Sequence, residues 1–123
     1  MRVLLVEDDE LVRGLTSLIL RGLGHEVVEA GSARAALELV AASDQPADVL
    51  FTDVRLGGGI DGIELARQSQ AQMPALGIVL TSGDPSSLRT AGLRADRVQV
   101  IAKPYRKDQI KSAMDALAPS DGH

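Results

Sequence analysis

Short apolar runs alternate with helical repeats along the whole chain. Val3 to Val6 is continuously apolar, the pattern of a strand covered on both faces. It stops at Glu7, Asp8, Asp9 and Glu10. Four consecutive acids suit a solvated turn, and charge there favours the N-terminus of a following helix. Leu11, Leu15 and Leu18, with Val12 and Ile19, then recur at helical spacing until Gly22 and Gly24 end the helix. His25 to Ala30 reads as a second, shorter strand, and Ser32 as the N-cap of a helix whose stripe runs through Ala33, Leu37 and Val40.

Ser43 to Ala47, with Pro46, forms a loop before a third strand, Asp48 to Thr52, which leads into Asp53. After Val54, Arg55 and Leu56 come Gly57, Gly58 and Gly59, a segment free to turn without steric cost. Asp61 and Glu64 resemble a capping box, opening a helix that carries Ile63, Ala66 and Met73 inward and breaks at Pro74. Gly77 to Leu80 is the fourth apolar run, ending in Thr81, Ser82 and Gly83. Asp84 and Pro85 signal another helix start, but Ser86, Ser87, Thr90 and Gly92 are weak formers, so this helix is expected to be the most mobile. Val98, Val100 and Ile101 make the fifth strand, ending in Lys103 and Pro104, and Ile110, Ala113, Met114 and Leu117 mark the last helix.

Five strands alternating with five helices predict an α/β domain: one parallel sheet with helices on both faces and right-handed crossovers. Residues 1–118 form that domain, and the polar tail 119–123 is expected to fray. Ligands of such sheets collect at the C-terminal strand ends. The unusual polar residues lie there: the acids after the first strand, Asp53 after the third, Thr81 after the fourth and Lys103 after the fifth.

Composition narrows the chemistry. A chain of 123 residues fits one domain. Its residues are 45% apolar but only 2% aromatic, so the core must be aliphatic. The absence of cysteine removes disulfides, thiolate metal sites and cysteine nucleophiles. A formal charge of −4 argues against direct nucleic-acid binding, which needs clustered Lys and Arg. No apolar run suits a signal peptide or a membrane span, so a cytoplasmic location is expected.

If the first and third strands are neighbours, Glu7, Asp8 and Asp53 converge and repel, a cost that a hard divalent cation offsets. Mg²⁺ fits, because it needs few protein ligands and keeps waters that a phosphoryl oxygen can replace. Read alone, the acidic loop is a solvated surface; its convergence with Asp53 reverses that reading. Asp53 as a nucleophile toward phosphorus yields an acyl phosphate. Phosphoryl transfer then needs charge neutralisation, for which Lys103 is placed, while Thr81 offers a hydroxyl to a phosphoryl oxygen. In isolation, Lys103 reads equally as a loop charge, and Thr81 reads first as a β-branched strand end.

The segment VLLVEDDE, the run FTDVR, Thr81 with Ser82, and the tripeptide Lys103, Pro104, Tyr105 together resemble the receiver domain of two-component response regulators, over essentially the whole chain. The resemblance implies a flavodoxin-like sheet in the order 2-1-3-4-5. It implies that Glu7 and Asp8 are the acidic pair, with Asp8 a direct Mg²⁺ ligand, and that the Arg55 backbone carbonyl completes the metal site. Asp53 would accept a phosphoryl group from a histidine kinase or a histidine phosphotransfer protein, with Thr81 and Lys103 sensing it. A downstream protein target would then read the surface of helix four, strand five and helix five. The Lys103–Pro104 bond would be cis, aiming the lysine.

Three positions depart from the family pattern. Many receivers carry a proline a few residues after the phosphoacceptor, where this chain has Gly57, Gly58 and Gly59 in a loop one residue longer. Some receivers fused to hybrid sensor kinases look similar. The aromatic switch residue usually found three positions before the lysine is Val100, and the extra acid, Asp9, is assigned to the helix start. Tyr105 reads either as an anchor on the output face or as a half-buried packing aromatic. Two other classes remain: a receiver-like interaction module that is never phosphorylated, and an aspartyl-nucleophile phosphatase. Haloacid-dehalogenase-type phosphatases need an acid two residues after the nucleophile, where this chain has Arg55. A flavin site would want hydroxyls and glycines in the first loop, which here is acidic.

Overall fold

The computed structural model describes residues 1–42, 47–88 and 92–119. The chain runs β1 (Arg2–Val6), α1 (Glu10–Gly22), β2 (Glu26–Ala30), α2 (Ala33–Ala42), β3 (Val49–Asp53), α3 (Gly62–Gln72), β4 (Gly77–Ser82), β5 (Val98–Ala102) and α4 (Lys107–Leu117). All pairings are parallel and the sheet order is β2-β1-β3-β4-β5, as the resemblance implied.

Alternation along the central strands divides the core in two. Val3, Leu5, Val49, Phe51 and Val79 face α1 and α4, where they meet Leu20, Ile110, Met114 and Leu117. Leu4, Val6, Leu50, Ile78 and Leu80 face α2 and α3, where they meet Ala36, Val40, Leu65 and Ala66. Because both faces are covered, the strands read as continuous apolar runs. The helix starts are those the sequence marks. Asp9 Oδ1 accepts from the N–H groups of Leu11 and Val12, Ser32 Oγ accepts from Ala35 N–H, and Asp61 Oδ1 accepts from Glu64 N–H at 2.8 Å. The capping role expected of Asp9 therefore holds.

The expected fourth helix is not formed by its described residues. Between β4 and β5 lie two 3₁₀ turns, Pro85–Ser87 and Ala95–Arg97, so the described chain has four α-helices rather than five. The reason is compositional: a proline and two serines offer one turn of support but no apolar stripe to hold a longer helix against the sheet. Thr90, part of that expected helix, lies outside the described residues, as do residues 43–46 of the expected loop and 120–123 of the tail. Val100, on the edge strand β5, is 42% exposed.

α1 presents a different surprise. Leu11, Leu15 and Leu18 are 80%, 63% and 68% exposed. Its buried residues are Thr16, Ser17 and Leu20. Small polar side chains bury there because each finds a partner: Thr16 Oγ1 bonds the Tyr105 hydroxyl at 2.7 Å, and Ser17 Oγ accepts from Arg21 Nε.

Candidate functional site

The sheet assembles the site before any loop contributes. β1 and β3 are hydrogen-bonded neighbours, with Val6 opposite Thr52, so the residues that follow them, Glu7 and Asp53, emerge side by side. β3 and β4 pair with Asp53 level with Thr81. β4 and β5 pair with Ser82 opposite Ala102, and the Lys103 N–H donates to the Ser82 carbonyl, placing Lys103 one step beyond the same edge. Glu7, Asp53 and Thr81 are buried, Lys103 is half-buried, and Asp8 and Arg55 are exposed.

Lys103 Nζ donates to Asp53 Oδ2 and lies 3.9 Å from Glu7 Oε2. The ammonium therefore stands between two carboxylates and screens their repulsion. Burial opposes its charge, but the hydrogen bond and charge of Asp53, with the charge of Glu7, outweigh that and hold Lys103 above the usual lysine range. Burial pushes Glu7 up; Lys103 pulls it back only in part, and the charges of Asp53 and Asp8 add to the rise. Glu7, beside Asp53, is thus held above the usual glutamate range. Its carbonyl is fixed in turn by Arg13 Nη1 at 2.8 Å, which ties the acidic loop to α1.

The remaining parts are set by backbone amides. Arg55 N–H donates to Asp53 Oδ1 at 3.2 Å, and Gly57 N–H donates to Asp8 Oδ2 at 3.0 Å. At Gly62 the N–H reaches the Val54 carbonyl at 2.8 Å. A Cβ at that position would lie 2.1 Å from the Asp53 carbonyl oxygen, so only glycine lets the start of α3 seat against the end of β3.

All the expected site residues lie at the C-terminal strand ends, and Lys103 pairs with both Asp53 and Glu7. Among the described residues, no three Asp, Glu, His or Cys side chains are gathered closely enough to hold an ion between them. The donor set is nevertheless of one kind: carboxylate oxygens and backbone carbonyls. Mg²⁺ commonly takes one or two carboxylates and keeps waters, so this set fits that ion better than a softer one.

Tyr105 settles as the packing residue. It is half-buried, its ring meets Phe51 edge-on with centroids 6.1 Å apart, and its hydroxyl reaches Thr16. Burial pushes its phenol up, only partly offset by the Thr16 hydrogen bond. The Lys103–Pro104 bond is cis, as the resemblance implied. Two contributors escaped the sequence reading: the Gly57 amide, a backbone group with no side-chain signal, and Arg13, which had no partner to be matched with.

The sequence and the fold both have counterparts among known proteins. Residues 3–115 match the family model described as the response regulator receiver domain. The chain is 37% identical over 126 residues to the response regulator MprA of Mycolicibacterium vanbaalenii, covering 98% of this chain and 53% of that protein. Against MprA of Mycobacterium avium it is 37% identical over 118 residues, covering 95% and 50%. The chain thus spans about half the length of these curated relatives. Among solved structures, the receiver domain of the hybrid histidine kinase CckA superposes with a TM-score of 0.78 at 26% identity, covering 95% of this chain and 98% of that one. The response regulator TrrA of Thermotoga maritima, solved in complex with Mg²⁺ and BeF, shares the fold with a TM-score of 0.80 at 22% identity, covering 95% and 98%.

Proposed function

The chain belongs to the response regulator receiver domain family of two-component signalling, and on that footing we propose that it is a phosphorylation-dependent switch whose acceptor is Asp53. The observation that carries the reading is the contact of Asp53 with Lys103 at a strand end level with Thr81. In the reaction, an Asp53 oxygen forms a bond to phosphorus while the bond to the donor's imidazole nitrogen breaks. That nitrogen leaves with the electron pair. Asp53 and Asp8, with the backbone carbonyl of Arg55 and with Glu7 behind them, would hold Mg²⁺, which supplies charge neutralisation for the transferring group. Lys103 moves its hydrogen bond from the carboxylate to a phosphoryl oxygen, and the Thr81 hydroxyl donates to another. The added charge of about −1.5 to −2 then redistributes contacts at the edge of the sheet.

The proposed output surface comprises the described 3₁₀ turns, β5 with its exposed Val100, and α4. The input surface is suggested by α1, which begins three residues after Glu7 and exposes Leu11, Leu15 and Leu18 on one side. A helical partner lying on that stripe brings its own side chains alongside Asp53, which suits a histidine kinase or histidine phosphotransfer protein as donor. A downstream protein reads the result.

Incubation with Mg²⁺ and acetyl phosphate, followed by intact mass, is expected to show one added phosphoryl group on the native chain and none on Asp53→Asn. A native protein that gains no mass from acetyl phosphate or from any histidine phosphodonor would instead support an interaction module outside phosphorylation control.

A further inference from the structure

Asp8 is exposed and has two like charges close by in sequence, Glu7 and Asp9, with Asp53 across the edge. The Gly57 N–H donates to its Oδ2 at 3.0 Å. Its Oδ1 accepts no hydrogen bond from any described residue. The loop that carries Gly57 is fixed at its base by Val54 N–H to the Thr81 carbonyl at 2.9 Å and by Gly62 N–H to the Val54 carbonyl at 2.8 Å. Gly58 and Gly59 follow at φ 70° and 74°, a left-handed pair that glycine adopts without strain. Space matters as well: a Cβ on Gly57 would sit 2.9 Å from Asp8 Oδ2.

We propose that the Gly57 N–H is a positioning group that holds Asp8 by one oxygen and presents the other to Mg²⁺. This rests on the reading of the acidic loop as the Mg²⁺ site and deepens it. A fixed carboxylate loses less freedom on coordination, and hydrogen-bonding partners of metal ligands are commonly worth a 10- to 100-fold change in affinity. Proline at this position would have no N–H to give, and a Cβ there would require the Asp8 carboxylate to shift. A receiver with proline there must orient its acid by other means.

Two measurements test this. Isothermal titration with MgCl₂ compares native protein, Gly57→Ala and Gly57→Pro. Alanine keeps the donor and adds the crowding, whereas proline has the crowding and lacks the donor, so the difference between them isolates the N–H. The expectation is that Gly57→Pro binds Mg²⁺ about 10-fold more weakly than native and clearly more weakly than Gly57→Ala. Equal affinities for the two variants would overturn the proposal. Should the proline variant misfold, amide exchange at Gly57 in the native protein decides: it is expected to stay slow at saturating Mg²⁺ and to accelerate in Asp8→Ala. Acceleration on adding Mg²⁺ would mean that the donor competes with the ion, and the proposal would fail. A native protein that binds no Mg²⁺ removes the metal-site reading itself, which separates the two failures.

Discussion

Replacing Gly62 by alanine should cost far more than one methyl group suggests. The added Cβ would lie 2.1 Å from the Asp53 carbonyl oxygen, 2.9 Å from its carbon and 3.0 Å from Val54 Cα. All three are backbone atoms, so no side chain can swing away. Relief requires α3 to back off the end of β3 by about 1 Å, and overpacking of this kind typically costs about 1–3 kcal/mol. That movement also strains the 2.8 Å bond from Gly62 N–H to the Val54 carbonyl, worth about 1 kcal/mol net. The expected loss is therefore about 2–4 kcal/mol, a large share of the 5–15 kcal/mol typical of a domain. Urea unfolding followed by far-UV circular dichroism measures it. With a slope of about 1–3 kcal/mol/M, the midpoint should fall by roughly 1–2 M. Gly14→Ala is the control: it lies inside α1 with nothing within 4 Å of its Cβ, so the same chemical change should raise stability by about 0.5–1 kcal/mol. A Gly62→Ala midpoint equal to native would refute the claim that close backbone approach dictates glycine there.

Serine substitutions at Leu11, Leu15 and Leu18 should each change stability by no more than about 0.5 kcal/mol, since these side chains are exposed. Phosphotransfer from the cognate histidine donor should nevertheless drop, while labelling by acetyl phosphate stays unchanged; equal losses with both donors would argue against a docking role. Glu7 has a folded pKa above the ordinary glutamate value, so the folded state holds its proton longer than the unfolded one. The associated stability is fully present below the ordinary value and disappears as pH rises through the raised one. Glu7→Gln should thus flatten the metal-free stability profile between the ordinary and the raised value, and a profile unchanged by the substitution would count against a raised Glu7 pKa.

The sheet was legible because each central strand is buried on both faces and so appears as an unbroken apolar run. The site was legible for a related reason: Asp53, Thr81 and Lys103 interrupt apolar runs at the strand ends. Helical spacing located α1 through its leucines but does not tell which way a stripe faces, and here the buried side is Thr16, Ser17 and Leu20. Only the three-dimensional partners, Tyr105 and Arg21, make that side a core. The fourth helix shows the other limit. A start signal at Asp84 and Pro85 is genuine locally, yet it produces one 3₁₀ turn when no apolar repeat follows. The Gly57 amide was hidden because every residue but proline carries one, and nothing in a side-chain pattern shows where it points.

The register of β3 on β4, with Asp53 level with Thr81, implies a division of labour in how such a protein can change over time. The proposed chemistry is anchored to hydrogen bonds between strands, whose spacing no surface substitution alters. Turns and helix faces away from Asp8, Arg55, Gly57, Gly62 and Lys103 are free to acquire new lengths and sequences without moving Asp53 from Lys103. A lineage can therefore exchange partners by redrawing turns, helix faces and edges while inheriting the same reaction centre. A single inserted residue inside β3 or β4, by contrast, would turn Asp53 or Thr81 to the opposite face and abolish the centre in one step.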